Sequence, residues 1–463
     1  MKPRTKPTFM PIKPTPFPWF WVTYFQMIKF PTMHKYLLYF SWLIPSLILS
    51  QTYTLSNLLK MADTANVSLK NARLEIASNA NQRKAFLASQ YPKITASGDY
   101  RYNAIIPGQI VPADFFGGPP GTFAEVKFGV PINLSNTIQL TQFLFNPQLN
   151  YGLNALAINA QIVQLQEKIT YQEVHYQVSN TYFGLQAVHQ QLAYLQKNEA
   201  NMDELIKNME LMVTQGLVIP TEVDKLKINR NNLSNGIMKL ENTRLQLQQL
   251  LAILVGFPGD KSLEIANDEI TSNPTIVESN NALRPELELI QLQKQMNLEE
   301  RKGTYMAYLP TLSFYGAYNY NYNMKPENNF RTGIPSAFLG LRLEWTLFDG
   351  FEKRNKLKVN AYNKEKIQNQ EILAAQQLNL ATANAKRDAE LQTANLAMNQ
   401  EQLNLSERVY EAAKAQFKAG TISTNELLQA DNGLQQAQSN VVGAYLQLRQ
   451  AELTYLKSIS QLK

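Results

Sequence analysis

The chain contains no cysteine. That excludes disulfides, thiolate metal sites, thiol nucleophiles and a lipid anchor on an N-terminal cysteine. Histidine is nearly absent: His34, His175 and His189 leave little for zinc or general-base chemistry, and the last two read as polar positions on one long helix. There is no glycine-rich phosphate loop, no serine elbow and no histidine–carboxylate spacing suited to a metal. No catalytic residue, metal or cofactor is therefore expected, and an enzyme is the least favoured class. Glycine and proline, at 20 and 22 residues, are too sparse for a disordered or collagenous protein. After residue 51 no apolar run reaches the roughly 18 residues that a membrane helix needs. Any membrane span would then have to be a closed β-barrel.

Acidic residues are missing from the first 51 positions, where Lys2, Arg4, Lys6, Lys13, Lys29 and Lys35 supply six of the seven surplus positive charges. The rest of the chain is nearly neutral, so a nucleic-acid partner is not expected. Within that stretch, residues 33–51 give a Met, a short basic region, an apolar run from Leu37 to Leu49 and then small or polar residues. This is signal-peptide order. The expectation is a true start at Met33 and cleavage near Ser50 or Gln51, with residues 1–32 lying upstream of the translated protein.

What is present repeats itself. "YPKITASGDYRYN" (91–103) has a twin in "LPTLSFYGAYNYN" (309–321), with Pro92 on Pro310, Gly98 on Gly316 and Tyr100 on Tyr318. "IQLTQFLFN" (138–146) matches "LRLEWTLFD" (341–349), and "VTQGLVIPTEVDKL" (213–226) matches "FKAGTISTNELLQA" (417–430). So long an offset marks a duplicated half rather than a solenoid. Residues 52–256 are read as the first repeat, with one helix, two strands and two long helices. A linker follows over 257–283, and 284–463 form the second repeat. The loop 104–135 reads as a plain connection at the strand ends.

In the strands, Leu312, Phe314, Gly316, Tyr318, Tyr320 and Tyr322 share one parity against Ser313, Ala317, Asn319 and Asn321. Over 339–348, Leu339, Leu341, Leu343 and Trp345 oppose Arg342, Glu344 and Thr346. Over 136–145, Ile138, Leu140 and Leu144 hold the apolar side and Gln142 breaks it. Strand periodicity of about ten residues suits tilted membrane strands with lipid on the apolar side. Leu343 would then sit near mid-membrane. Two long stretches, 148–215 and 350–419, lack proline and hold little glycine; at about 1.5 Å per residue each spans about 100 Å of helix. Leu226, Leu233, Leu240, Leu247 and Leu254 recur every seventh residue, as do Leu427, Leu434, Val441, Leu448 and Tyr455, with Ala430, Ala437, Ala444 and Ala451 offset by three. Heptads impose lengthwise, left-handed packing. Gln, Asn, Ser and Thr cover much of the remaining helix surface, as the wall of a wet tube would require.

Four strands cannot close a membrane barrel, for which about eight is the practical minimum, so several chains must contribute. The duplicated halves, "YLPTLSFYGAY" leading into a strand, "WTLFDG" leading into a long helix and the turn F-x-A-G-x-x-x-x-x-E-L-L-Q-A together resemble the TolC-like outer-membrane efflux protein family, over roughly 52–463. The resemblance implies a mainly α chain contributing four strands. It implies a homotrimer with a twelve-stranded outer-membrane β-barrel continued by a periplasmic α-helical coiled-coil barrel, in contact with outer-membrane lipid. It also implies a periplasmic adaptor (membrane fusion) protein and an inner-membrane pump as partners. Leu312, Phe314, Tyr318, Tyr320, Leu341, Leu343 and Trp345 would be lipid-facing strand residues.

The turns at Gly216 and Gly420 would form the periplasmic tip. By the same resemblance Glu222 and Glu426 take acidic positions of the constriction, and Phe417 stands at a gate tyrosine. Ile422 replaces a gating arginine and Gln429 an acidic residue, so the ionic lock is expected to differ, with Lys225 and Lys418 as candidate substitutes. From the residues alone, Glu222 and Glu426 are equally first-turn helix stabilisers. The function expected is a passive exit duct for small toxic compounds in a tripartite efflux system. The outlet of a type I protein secretion system is an alternative on the same fold, and a non-conducting coiled-coil tether is an alternative of another class.

Overall fold

The structure, a computed structural model, describes residues 52–259, 263–266 and 284–462. The expected signal peptide, residues 1–51 and most of the 257–283 linker lie outside these. Helices α1 (Leu55–Ala65) and α2 (Val67–Leu87) open the chain, followed by strands β1 (Lys93–Tyr102), β2 (Gly108–Pro112), β3 (Phe123–Lys127) and β4 (Ile132–Phe145). Then come α3 (Pro147–Thr214), α4 (Pro220–Leu254), α5 (Pro285–Met306), β5 (Thr311–Lys325), β6 (Phe330–Glu344), α6 (Glu352–Lys418) and α7 (Thr424–Ser458). Three helices start with proline at the first position, where its missing N–H costs nothing. The single helix expected before the first strand is two, divided at Asn66. There the Asn66 side-chain oxygen accepts from the N–H groups of Ser68 and Leu69 at 2.8 and 3.2 Å, which starts α2.

The four-stranded sheet has the order β1-β4-β5-β6 and is antiparallel throughout. Cross-strand partners share a face, so the register decides which residues travel together. Ile94, Leu140, Gly316 and Leu339 form one row, and Ala96, Ile138, Tyr318 and Ala337 the next. Phe314 pairs with Leu341, and Leu312 with Leu343. Gly316 leaves room for Leu339, whose Cδ2 would lie 2.5 Å from any Cβ there. The opposite face carries a polar ladder: Asn133 donates to Asn323 at 2.6 Å and Thr137 to Asn319 at 2.7 Å. It is not wholly polar, because Arg342 stacks 5.0 Å above the Tyr315 ring, which meets Phe338 edge-on. Among the described residues no helix packs over either face.

Three strand expectations need correction. The strand placed at 339–348 is β6, and it runs over Phe330–Glu344, because its earlier half pairs fully with β5 even though Gly333 and Pro335 blur the alternation. Trp345 lies just past its end; its indole N–H donates to the Tyr308 carbonyl at 2.9 Å and ties it to the end of α5. In β4 the register shifts between Phe143 and Phe145, so Leu144 sits in a bulge rather than continuing the apolar parity. Gln142 does break the apolar row, and its amide donates to the Gln90 carbonyl at 2.6 Å.

Helices α3 and α4 form one antiparallel pair and α6 and α7 another; α3 packs on α7, and α5 lies against α3 and α6. Leu427, Leu434, Val441, Leu448 and Tyr455 are all buried, with Ala437, Ala444 and Ala451 beside them. On α4 the expected seam holds at Leu226 and Leu233. Farther along, Leu240, Leu247 and Leu254 are half-buried, and Leu251, Ala252 and Val255 turn inward instead. They join Leu58, Ala62 and Leu69 from α1 and α2, Val178, Tyr182 and Leu185 from α3, and Leu263 and Ile265 from the linker in a second core. His175 lies in the same region and is not a solvated position. It is 2% exposed, stacks on Tyr171 and hydrogen-bonds Asp63 through Nε2 at 2.7 Å.

Asn66 serves two elements at once, since its amide also donates to the Leu254 carbonyl at the end of α4 at 2.7 Å. Asn66→Ala removes the α2 cap and orphans a carbonyl, and is expected to cost about 2 kcal/mol in denaturant unfolding. Asn66→Asp keeps the cap and should recover part of the loss.

Candidate functional site: the helix tip and the inter-hairpin bridges

At the ends of α3 and α6 the same turn is built twice. Gly216 and Gly420 adopt φ of +71° and +70°. Leu217 N–H then bonds the Met212 carbonyl and Thr421 N–H the Gln416 carbonyl, while each glycine N–H bonds the carbonyl three residues back. This left-handed cap explains why glycine stands at both positions. Gly420→Ala, with open space around the new methyl but the wrong backbone preference, should cost about 1 kcal/mol. The loss should appear as faster hydrogen exchange confined to the 416–424 turn.

The two turns meet. The Glu222 carboxylate accepts from Lys225 Nζ at 2.8 Å. This bond, helped by one from the Thr424 hydroxyl of the other turn, holds its carboxyl below the usual carboxylate range. Glu426 closes a capping box: its Oε2 accepts from Ser423 N–H at 2.8 Å, and Ser423 Oγ accepts from Glu426 N–H at 3.3 Å. Its carboxylate is thus engaged in starting α7. Phe417 and Ile422 pack against the apolar core that runs up from the tip, together with Val213 and Val218. Gln429 is exposed. The seven candidate tip residues therefore divide into two that shape the backbone, two carboxylates held by local partners, two apolar side chains packed on the core and one solvent-facing amide.

Sequence reading missed the polar contacts one to several turns farther in. Asp431 of α7 is 3% exposed and accepts from Gln435 at 2.6 Å and from Asn229 of α4 at 3.1 Å. Asn198 of α3 donates to Gln438 of α7 at 2.7 Å, and Tyr445 of α7 donates to Gln186 of α3 at 2.8 Å. All three contacts link the α3–α4 pair to α7. The available signal was positional: Asp431 lies four residues after Leu427 and three before Leu434, inside the apolar seam.

Among the described residues no cation pairs with the Asp431 carboxylate; burial pushes its pKa up, against the pull of Gln435 and Asn229. Burial, and then Asp431 itself, pushes the nearby Tyr410 hydroxyl to about 12. A raised carboxyl pKa means that the folded state keeps a proton the unfolded chain has released, so stability falls as pH rises through that interval. Asp431→Asn should melt above the parent near pH 8 and coincide with it near pH 3, in thermal scans at matched ionic strength.

On the sheet, Leu341 and Leu343 are 65% and 66% exposed, Tyr318 and Tyr320 are exposed, and Leu312 and Phe314 are half-buried. Among the described residues no group of His, Asp and Glu has the geometry to hold a metal.

Comparison with known proteins places this architecture. Residues 278–459 match the family model described as outer membrane efflux protein. No curated protein matches the chain. Among solved structures, the chain resembles CusC with a TM-score of 0.68 at 15% identity, covering 89% of this chain and 95% of that one. It resembles the outer membrane protein VceC of Vibrio cholerae with a TM-score of 0.66 at 13% identity, over 88% and 95% of the two chains. For the open state of the MtrE outer membrane channel of Neisseria gonorrhoeae the TM-score is 0.66 at 15% identity, over 88% and 89%. At such identities the likeness is one of fold.

Proposed function

We propose, from the outer membrane efflux protein domain that residues 278–459 carry, that this chain is one third of a passive exit duct crossing the periplasm and the outer membrane. Three copies supply a twelve-stranded barrel and a helical tube. A periplasmic adaptor and an inner-membrane pump deliver small toxic compounds to its tip. The carrying observation is the sheet, whose apolar face is uncovered and whose edge strands β1 and β6 pair with no further strand among the described residues. In hydrocarbon such edges must find partners.

Strand directions alternate across β1, β4, β5 and β6, so β6 of one copy can pair antiparallel with β1 of the next and continue the same pattern. The helices support the same closure. On α6, Leu391, Met398 and Leu405 recur every seventh residue on an exposed stripe, and on α4 Met238 and Leu245 do likewise. These stripes lie on the two helices at the outer ends of the four-helix row, where the neighbouring copy would pack.

The extended β6 moves the mid-depth position. Leu339, midway between Trp345 and Gly333, takes the place first given to Leu343. Leu339→Arg should cost about 2–4 kcal/mol of barrel stability, Leu343→Arg at most about 1, and Arg342→Leu on the lumen side little. Urea unfolding in lipid vesicles measures all three. Equal costs at 339 and 342 would contradict the facing. Purified protein should also give stable conductance steps in planar bilayers, and a tether would give none.

A further inference from the structure

The stretch between β1 and β4 is not the plain connection expected over 104–135. It folds into a hairpin in which β2 and β3 pair from Gly108–Lys127 to Pro112–Phe123. Its base is clamped where Asn103 N–H donates to the Pro131 carbonyl at 2.6 Å and its side-chain amide to the Val130 carbonyl at 3.0 Å. Its tip is compact: Ala113 N–H bonds the Thr122 carbonyl, the Thr122 hydroxyl bonds the Pro119 carbonyl, and Gly117 and Gly121 turn at positive φ. This ordered tip holds large apolar side chains in the open. Phe115 is 80% exposed, Phe123 72% and Ile110 77%, with Phe116 beside them. A lone two-stranded hairpin is marginal in water, and among the described residues nothing covers the apolar side chains of this one.

Two neighbours are within reach of the hairpin base. On the polar face, the strand ends beneath it carry Arg101, Asn133, Asn323 and Lys325, and the apolar side chain there, Phe330 opposite Lys325, lies on β6, two strands away from β4. On the other face the same ends carry Tyr100, Tyr102 and Tyr322, the aromatic fringe of the apolar belt, and Ile105, between β1 and the hairpin in sequence, is exposed. We propose that the β2–β3 tip is an interfacial anchor, with Phe115, Phe116 and Phe123 seated in the acyl–headgroup boundary of the outer leaflet. Only Asp114, Glu125 and Lys127 are charged between Gly108 and Lys127, so the tip approaches a lipid surface with little charge to desolvate. The anchor rests on the outer-membrane reading of the sheet, and its test separates the two.

The cysteine-free chain lets single labels report cleanly. Phe116→Cys and Phe123→Cys carry an environment-sensitive fluorophore, in full-length protein reconstituted into phosphatidylcholine vesicles containing nitroxide-labelled lipid. Leu339→Cys reports the sheet's apolar face and Asn319→Cys its polar face. The anchor predicts that both hairpin labels lose most of their emission to shallow nitroxides, that the Leu339 label is quenched by deep ones, and that the Asn319 label is spared. Quenching at 339 with none at 116 and 123 overturns the anchor and leaves the membrane reading standing. This holds whether the hairpin labels emit as if in water or as if buried between copies. No quenching at 339 overturns both.

Discussion

Backbone hydrogen bonding at the two sheet edges governs everything else in this protein. Among the described residues, β1 and β6 each present a row of N–H and C=O groups with no strand partner, beside a face of Leu, Ile, Phe and Tyr with no cover. In water such an edge aggregates; in hydrocarbon each unsatisfied group costs several kcal/mol. The proposed closure by further copies would satisfy edge and face together. An even number of strands per chain would keep the antiparallel alternation intact from one copy to the next.

The helices would meet a second demand of the proposed closure. A tube wall needs apolar contact along its seams and water on its inner side. Leu and Ala heptads supply the seam between α6 and α7, and amide-rich surfaces supply the rest. Between the hairpins the apolar core continues, with Met202, Leu205, Leu226 and Leu233 in one cluster with Leu403, Leu427 and Leu434, and polar bridges are set into it: Asp431–Asn229, Asn198–Gln438 and Tyr445–Gln186. Such contacts add little net stability compared with apolar packing, but they are costly to misalign. They fix the register of α7 against the first hairpin up to the tip, where Glu222 reaches Thr424.

The long helices were legible to within a residue or so, because a proline-free heptad pattern admits few alternatives and glycine marks each stop. The strands were located, but their lengths were not. Gly333 and Pro335 hid the first half of β6, and the β4 bulge is set by pairing, which alternation does not encode. The β2–β3 hairpin was invisible because "GGPPG" reads as a loop whether or not the flanks pair. At the tip, the S-x-x-E spacing of Ser423 and Glu426 was readable as a cap. Asp431 and His175 were harder, since each relies on a tertiary partner, Asn229 beside the local Gln435 for one and Asp63 for the other, that alternation does not reveal.

The account stands on neighbouring copies completing what one chain begins. Its most direct test is the native mass of the complex extracted in mild detergent, read alongside the strand content of the same sample. Three chains per particle, with the strands intact, is the predicted result. A monodisperse single chain that keeps its strands without lipid or detergent would contradict it.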